Sequence, residues 1–112
     1  MAVSINNEII EELKELMGDD FPLLINTFLE DSDKRLVDLN LALAEDNANK
    51  VRELAHGFKG SSANLGVEKL SEISSVLETM GRTEELSGSE SKFKELDNEY
   101  KIISEYLKSL LI

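Results

Sequence analysis

Apolar residues recur at helical spacing through nearly the whole chain, and this pattern decides what the chain can fold into. The clearest case lies near the carboxyl end, where apolar side chains follow one another three or four residues apart: Phe93, Leu96, Tyr100, Ile103, Leu107 and Leu110. That spacing places them on one stripe of a helix, which must be buried against other helices. No segment alternates apolar and polar residues with the period of two that a half-buried strand requires. The pattern therefore predicts an all-α protein.

Five helices are predicted, at about 5–17, 21–45, 47–65, 67–82 and 91–111. The residues expected to cap them are Ser4, Asn6 or Asn7, then Asp19 and Asp20, then Asp46 or Asn47, with Gly66 ending the third helix. The short connections favour an up-down four-helix bundle with an additional short N-terminal helix that covers one end. With 112 residues and 41% hydrophobic composition, the chain has enough apolar material for one core, so 1–112 is predicted to be a single domain.

The composition excludes several classes of site. The chain has no cysteine, which removes disulfides, thiolate zinc sites and cysteine nucleophiles, and its single histidine cannot form a histidine-rich metal site. The net charge of -11 argues against nucleic acid and anionic membranes, because both bind clustered cations. The amino-terminal residues show no basic region before an apolar run, and the longest uncharged stretch, 21–29, is too short to span a bilayer. These features predict a cytoplasmic protein.

The single histidine, His56, lies in an unusual helical segment. It is predicted to point at solvent, since the apolar residues of the segment fall on the opposite side of the helix. Gly57 and Gly60 follow it within one turn, although each glycine inside a helix costs about 1 kcal/mol relative to alanine. Residues 50–69 carry four basic side chains against two acidic ones, whereas the rest of the chain is acidic. An exposed histidine in a basic island suits an anionic group or an acidic partner pocket.

The residues expected around His56 suit phosphoryl transfer. The very short connection between the third and fourth helices makes them antiparallel neighbours, which brings Glu78 and Arg82 toward the histidine. A carboxylate that accepts a hydrogen bond from Nδ1 would leave the lone pair of a neutral ring at Nε2. Lys59 and Arg82 would balance the charge on phosphoryl oxygens. Three small residues would let a bulky phosphoryl donor approach the helix closely: Gly57, Gly60 and Ala63.

The same segment resembles the signature of the histidine-containing phosphotransfer (HPt) family. In that signature a histidine is followed three and four residues later by lysine and glycine, then by small residues and Leu-Gly, as in 56–66 here. The likeness continues through Glu78, Gly81 and Arg82 and covers roughly residues 50–82. The resemblance implies a stand-alone bacterial phosphorelay module in which His56 is phosphorylated on Nε2, Lys59 contacts the phosphoryl group and Glu78 orients the ring.

The resemblance also implies partner proteins, which the spacing of residues alone does not identify. The phosphoryl donor and acceptor would be aspartates of receiver domains, one in a hybrid histidine kinase and one in a response regulator, with magnesium held by the receiver. The chain itself would need no cofactor, would bind neither ATP nor metal, and would act as a monomeric phosphoryl carrier rather than an enzyme. The residues assigned to binding the phosphoryl group or the partner are Arg52, Gly57, Gly60, Ser61 and Ala63.

Two other interpretations stay open. The chain is also consistent with a helical-bundle adaptor or antagonist that docks a receiver or kinase without accepting phosphate, and with the phosphotransfer domain of a larger chemotaxis-type kinase. Phosphate-loop chemistry is disfavoured, because segment 57–62 lacks the required Gly-Lys-Ser/Thr spacing and follows no strand. A serine hydrolase is disfavoured too, because Ser61 and Ser62 lie on another side of the helix from His56.

Overall fold

The computed structural model describes residues 5–111, and five α-helices account for most of them. These are α1 (Asn7–Met17), α2 (Phe21–Ala44), α3 (Ala48–Leu65), α4 (Glu68–Arg82) and α5 (Ser89–Ser109), with one 3₁₀ turn, Gly18–Asp20, between α1 and α2. Each helix end lies within two residues of its expected position, and no strand occurs in the described range. The expected cap Ser4 and the outer ends of the expected domain, 1–4 and 112, lie outside the described residues. None of the described helices is long and apolar enough to cross a bilayer.

Three helix ends follow the expected capping chemistry. The side chain of Asn6 accepts hydrogen bonds from backbone N–H groups in the first turn of α1, and Asn47 does the same for α3. Gly66 ends α3 in the left-handed conformation, with φ of 79°. The expected cap by Asp20 is wrong, because the 3₁₀ turn leads into α2 with helical backbone and the Asp20 side chain makes no capping hydrogen bond.

The helices α2, α3, α4 and α5 form a four-helix bundle in which each helix packs on the next and α5 returns to pack on α2. Phe58 is fully buried in the core, and its ring meets that of Tyr100 edge to face, with 6.3 Å between centroids. The Tyr100 hydroxyl donates to the Asp33 carboxylate at 2.8 Å and lies 3.1 Å from the carbonyl oxygen of Leu29. These contacts connect α5 to both α2 and the helix that carries the histidine.

The short helix α1 covers one end of the bundle. Its Ile10 is only 2% exposed. The backbone N–H of Asn6 donates to the carbonyl oxygen of Gly66 at 2.7 Å, and the Tyr106 hydroxyl of α5 donates to Asn7 at 3.2 Å. As expected from the sequence, α1 acts as a lid, and it joins the turn between α3 and α4 to the end of α5.

Gly81 sets how closely α3 and α4 approach. A Cβ atom at this position would lie 2.6 Å from the backbone nitrogen of Arg52 and 2.7 Å from the carbonyl oxygen of Ala48. Only glycine fits there, so the end of α4 rests directly on the backbone at the start of α3. The two antiparallel helices are therefore held in one register, in which position 78 faces position 56.

Candidate functional site

The helix α3 presents the His56 ring to solvent. The side chain is 66% exposed, whereas Val51, Ala55 and Phe58 of the same helix are fully buried. Because these apolar residues fix which face of α3 points into the core, the ring is held outward by the packing of the whole helix. The outward direction of His56 agrees with the expectation from the sequence.

Glu78 of α4 binds both the histidine and the neighbouring lysine. One carboxylate oxygen, Oε2, lies 2.6 Å from Nδ1 of His56, and the other, Oε1, accepts a hydrogen bond from Nζ of Lys59 at 2.5 Å. The bond from Lys59, together with that from His56, holds the pKa of Glu78 below its ordinary value of 4.5, although partial burial acts in the opposite direction. An ionised carboxylate only accepts hydrogen bonds, so Nδ1 carries the proton and the lone pair of the neutral ring is at Nε2.

The small residues near the ring differ in the space around them: the surface is open at Gly60 and Ala63 and filled over Gly57. Gly60 has no atom within 4 Å of the position that a Cβ would take, and Ala63 is exposed, so the surface on that side of His56 is open. Gly57 differs from the expectation, because a Cβ there would lie 3.3 Å from Nε of Arg35 in α2. The space over Gly57 is therefore filled by a side chain of this protein and is not left clear for a donor.

Three of the expected site residues form their hydrogen bonds elsewhere than at the ring. Arg82 and Arg52 donate hydrogen bonds to neighbours in their own helices, at 3.4 and 3.0 Å. Ser61 faces α2, where its hydroxyl accepts a hydrogen bond from Arg35 at 3.3 Å. In the part of the chain that the structure describes, none of the three hydrogen bonds to the histidine ring or to its carboxylate partner. Any part they play toward a partner protein stays a prediction.

Arg35 is the residue near the site that sequence analysis missed. It belongs to α2, so no spacing rule within α3 connects it to the histidine. The one available signal was Gly57 itself, because an unexplained glycine inside a helix often marks the close approach of a neighbouring group.

The site combines an outward nucleophile with a nearby cation. The His56 ring is exposed, and the Glu78 carboxylate that contacts its Nδ1 also holds the ammonium group of Lys59. The surface at Gly60, one turn along the helix, is open. A nitrogen nucleophile oriented by a carboxylate and flanked by a cation suits attack on an anionic electrophile such as a phosphoryl group. No group of three or more acidic or histidine side chains is placed to hold a metal ion within residues 5–111.

Replacing Glu78 by alanine is expected to weaken the preference of the neutral His56 ring for one tautomer. The change removes the acceptor for Nδ1–H, so the preference for the Nδ1–H form should fall by roughly tenfold, the effect of losing one charge-assisted hydrogen bond. Glu78→Gln is the matched control, because its amide oxygen can still accept from Nδ1. Nitrogen-15 NMR of the ring reports both forms, and equal tautomer populations in Glu78→Ala and the wild type would contradict the orienting role.

Comparisons with known proteins show likeness in sequence and in fold. The model of the Hpt domain family matches residues 23–106, a span that includes Arg35 and every expected site residue. The chain is 26% identical over 83 residues to the phosphorelay protein LuxU of Vibrio harveyi, a match that covers 73% of each protein. The fold matches the crystal structure of histidine-containing phosphotransfer protein B (HptB) from Pseudomonas aeruginosa with a TM-score of 0.94 and 32% identity, over 97% of this chain and 95% of that one.

Proposed function

Since this chain belongs to the Hpt domain family, we propose that His56 is the residue that carries its phosphoryl group. The chain is a histidine phosphotransfer protein of a phosphorelay, a phosphocarrier rather than a kinase. The observation that carries the assignment is the contact of 2.6 Å between Nδ1 of His56 and the Glu78 carboxylate, which leaves Nε2 exposed as the nucleophile. His56 is also the only histidine in the chain.

The proposed reaction is a reversible in-line transfer between a receiver aspartate and His56. The Nε2 lone pair attacks phosphorus while the P–O bond to the aspartate breaks, which yields a free aspartate carboxylate and an N–P bond at Nε2. The ring gains positive charge in this step, since Nδ1 keeps its proton. The carboxylate of Glu78 faces that proton and stabilises the charged product. In the reverse direction the group passes from His56 to an aspartate of a second receiver.

The proposed partners are the receiver domain of a hybrid histidine kinase and that of a response regulator. The likeness to a phosphorelay protein and to a histidine-containing phosphotransfer protein supports partners of this class. The open surface at Gly60 gives a receiver direct access to the ring. Magnesium, which offsets phosphoryl charge, is proposed to belong to the receiver, while this chain supplies the nucleophile and its orientation. We propose that the chain works as a monomer, without autokinase or ATP-binding activity of its own.

Replacing Lys59 by alanine is expected to slow transfer by roughly ten- to a hundredfold, because the phosphoryl oxygens lose a nearby cation. The pKa of Glu78 would return toward its ordinary value of 4.5, which still leaves the carboxylate ionised at neutral pH, so the orientation of His56 should be kept. Rapid-quench kinetics with a phosphorylated receiver measure the rate. The matched control is Lys50→Ala, an exposed lysine in the first turn of the same helix. Equal rates in the two variants would remove Lys59 from the mechanism.

The proposed function is tested by incubating the protein with phosphorylated receiver domains from hybrid kinases of the same organism. The expected result is acid-labile, alkali-stable label on this chain, followed by loss of that label when an unphosphorylated response-regulator receiver is added. Binding without label across the whole set of receivers would contradict the carrier function and favour an adaptor that only docks.

A further inference from the structure

We propose that Arg35 of α2 is a recognition residue, whose guanidinium binds an acidic side chain of the receiver partner on the side of His56 opposite Glu78. This inference rests on the proposed function, because it assigns to a residue outside the transfer chemistry the task of positioning that partner.

The position of Arg35 follows from the geometry of α3. Successive side chains turn by about 100°, so Lys59 lies roughly 60° to one side of His56, while Gly57 and Ser61 lie about 100° and 140° to the other. Glu78 and Lys59 occupy the first side. The guanidinium of Arg35 occupies the second, where it covers Gly57 and donates to the Ser61 hydroxyl at 3.3 Å. A receiver seated over the ring therefore meets a cationic group on each side.

Arg35 has hydrogen-bond donors to spare. A guanidinium carries five N–H groups, and the contact with Ser61 uses one of them. Among residues 5–111, Arg35 takes part in no ion pair, whereas Lys59 is already paired with Glu78. The Arg35 side chain is half-buried. A half-buried cation with unused donors binds an incoming carboxylate well, because part of its desolvation cost has been met in the free protein.

The surroundings of Arg35 restrict where an acidic group of a partner can bind. Arg35 lines a groove of about 250 Å³ between α1, α2 and α3, with Leu24, Phe28 and Leu65 among its apolar walls. Asp31 lines the same groove and repels a carboxylate there, so the edge formed by Arg35 and Ser61 is where an acidic side chain fits. The chain as a whole carries a net charge of -11, so an acidic partner is attracted only where cations are concentrated.

The geometry favours a carboxylate of the receiver over the transferred phosphoryl group as the anion that Arg35 binds. The Nδ1 atom of His56 is held by Glu78 of α4, whereas Arg35 lies over Gly57 on the side of α3 that faces α2. The cation beside the ring on the Glu78 side is Lys59. Arg35 is thus placed to set the affinity and the orientation of the partner, whereas Lys59 is placed to balance charge on the phosphoryl group.

The test compares Arg35→Gln with Lys34→Gln, an equal loss of charge at the adjacent, exposed position of α2. Two phosphoryl donors are used: phosphoramidate, which is small, and the phosphorylated receiver domain that loads the wild-type chain fastest. Arg35→Gln should raise the receiver concentration for half-maximal transfer by roughly fivefold with little change in the maximal rate. Loading by phosphoramidate should match the wild type. Arg35→Lys should restore part of the affinity, and circular dichroism confirms that each variant is folded.

Three other results would each overturn either this inference or the proposed function. Equal half-maximal concentrations for Arg35→Gln and Lys34→Gln would overturn the inference. Slower loading of Arg35→Gln by both donors would also overturn it, because Arg35 would then act on the phosphoryl group itself. A wild-type chain that neither donor loads would instead overturn the proposed function, a result that is visible before any variant is compared.

Discussion

His56→Gln is expected to abolish phosphorylation of this chain while leaving its fold intact. The amide nitrogen of glutamine is not a nucleophile toward phosphorus, and the chain has no second histidine to replace the ring. The wild-type side chain is 66% exposed, so the change creates no cavity in the core. Glutamine is also a good helix former, and its amide can still donate to the Glu78 carboxylate.

Label transfer from a phosphorylated receiver measures the effect, and circular dichroism with thermal unfolding checks the fold. Helicity should be unchanged, and the free energy of unfolding should stay within about 0.5 kcal/mol of the wild type, as is usual for an exposed position. Acid-labile label that persists on His56→Gln would place the phosphoryl group on another residue and contradict the assignment.

Gly81→Ala is expected to destabilise this protein strongly, because Gly81 is the one glycine at which an added Cβ would lie under 3.0 Å from other atoms. The new Cβ would lie 2.6 and 2.7 Å from backbone atoms of Arg52 and Ala48, which cannot rotate away as a flexible side chain does. Overpacking of this kind costs on the order of 1–3 kcal/mol and sometimes more, against a gain in helix propensity of about 1 kcal/mol. Because the backbone contacts place the cost at the upper end of this range, we expect a net decrease of about 2 kcal/mol in the free energy of unfolding, measured by urea denaturation.

The same displacement should disturb the site, because Gly81 lies one turn beyond Glu78 and holds α4 against α3. The matched control is Gly60→Ala, where a Cβ would meet no atom within 4 Å. There the added methyl group should raise the free energy of unfolding by about 1 kcal/mol through helix propensity alone. Similar stabilities for the two alanine variants would contradict the role assigned to Gly81.

Features that depend on local chemistry could be predicted from the sequence. The apolar spacing defined the helices and the outward direction of His56. The capping chemistry indicated Asp46 or Asn47 at the start of α3, of which Asn47 makes the cap, and Gly66 at its end. The pairing of His56 with Glu78 was also predictable, because a two-residue connection leaves α3 and α4 no arrangement other than antiparallel packing.

Features that depend on the distance and rotation between helices could not be predicted. Gly57 was expected to clear space for a donor, but the rotation of α2 places Arg35 over it, and no pattern within one helix reports that rotation. Likewise Gly81 was noted only as part of the family resemblance, since its need for zero side-chain volume follows from the separation of α3 and α4. The absence of a cap at Asp20 follows from the 3₁₀ turn before α2, which the capping rules do not anticipate.

The most direct test of the account is to locate the phosphoryl group on the ring of the wild-type chain. Phosphorus-31 and nitrogen-15 NMR of the protein after loading by a receiver distinguish an N–P bond at Nε2 from one at Nδ1. The contact of 2.6 Å between Nδ1 and Glu78 predicts an N–P bond at Nε2 of His56, with Nδ1 still protonated. A phosphoryl group at Nδ1, or on any residue other than His56, would contradict the mechanism derived from this site.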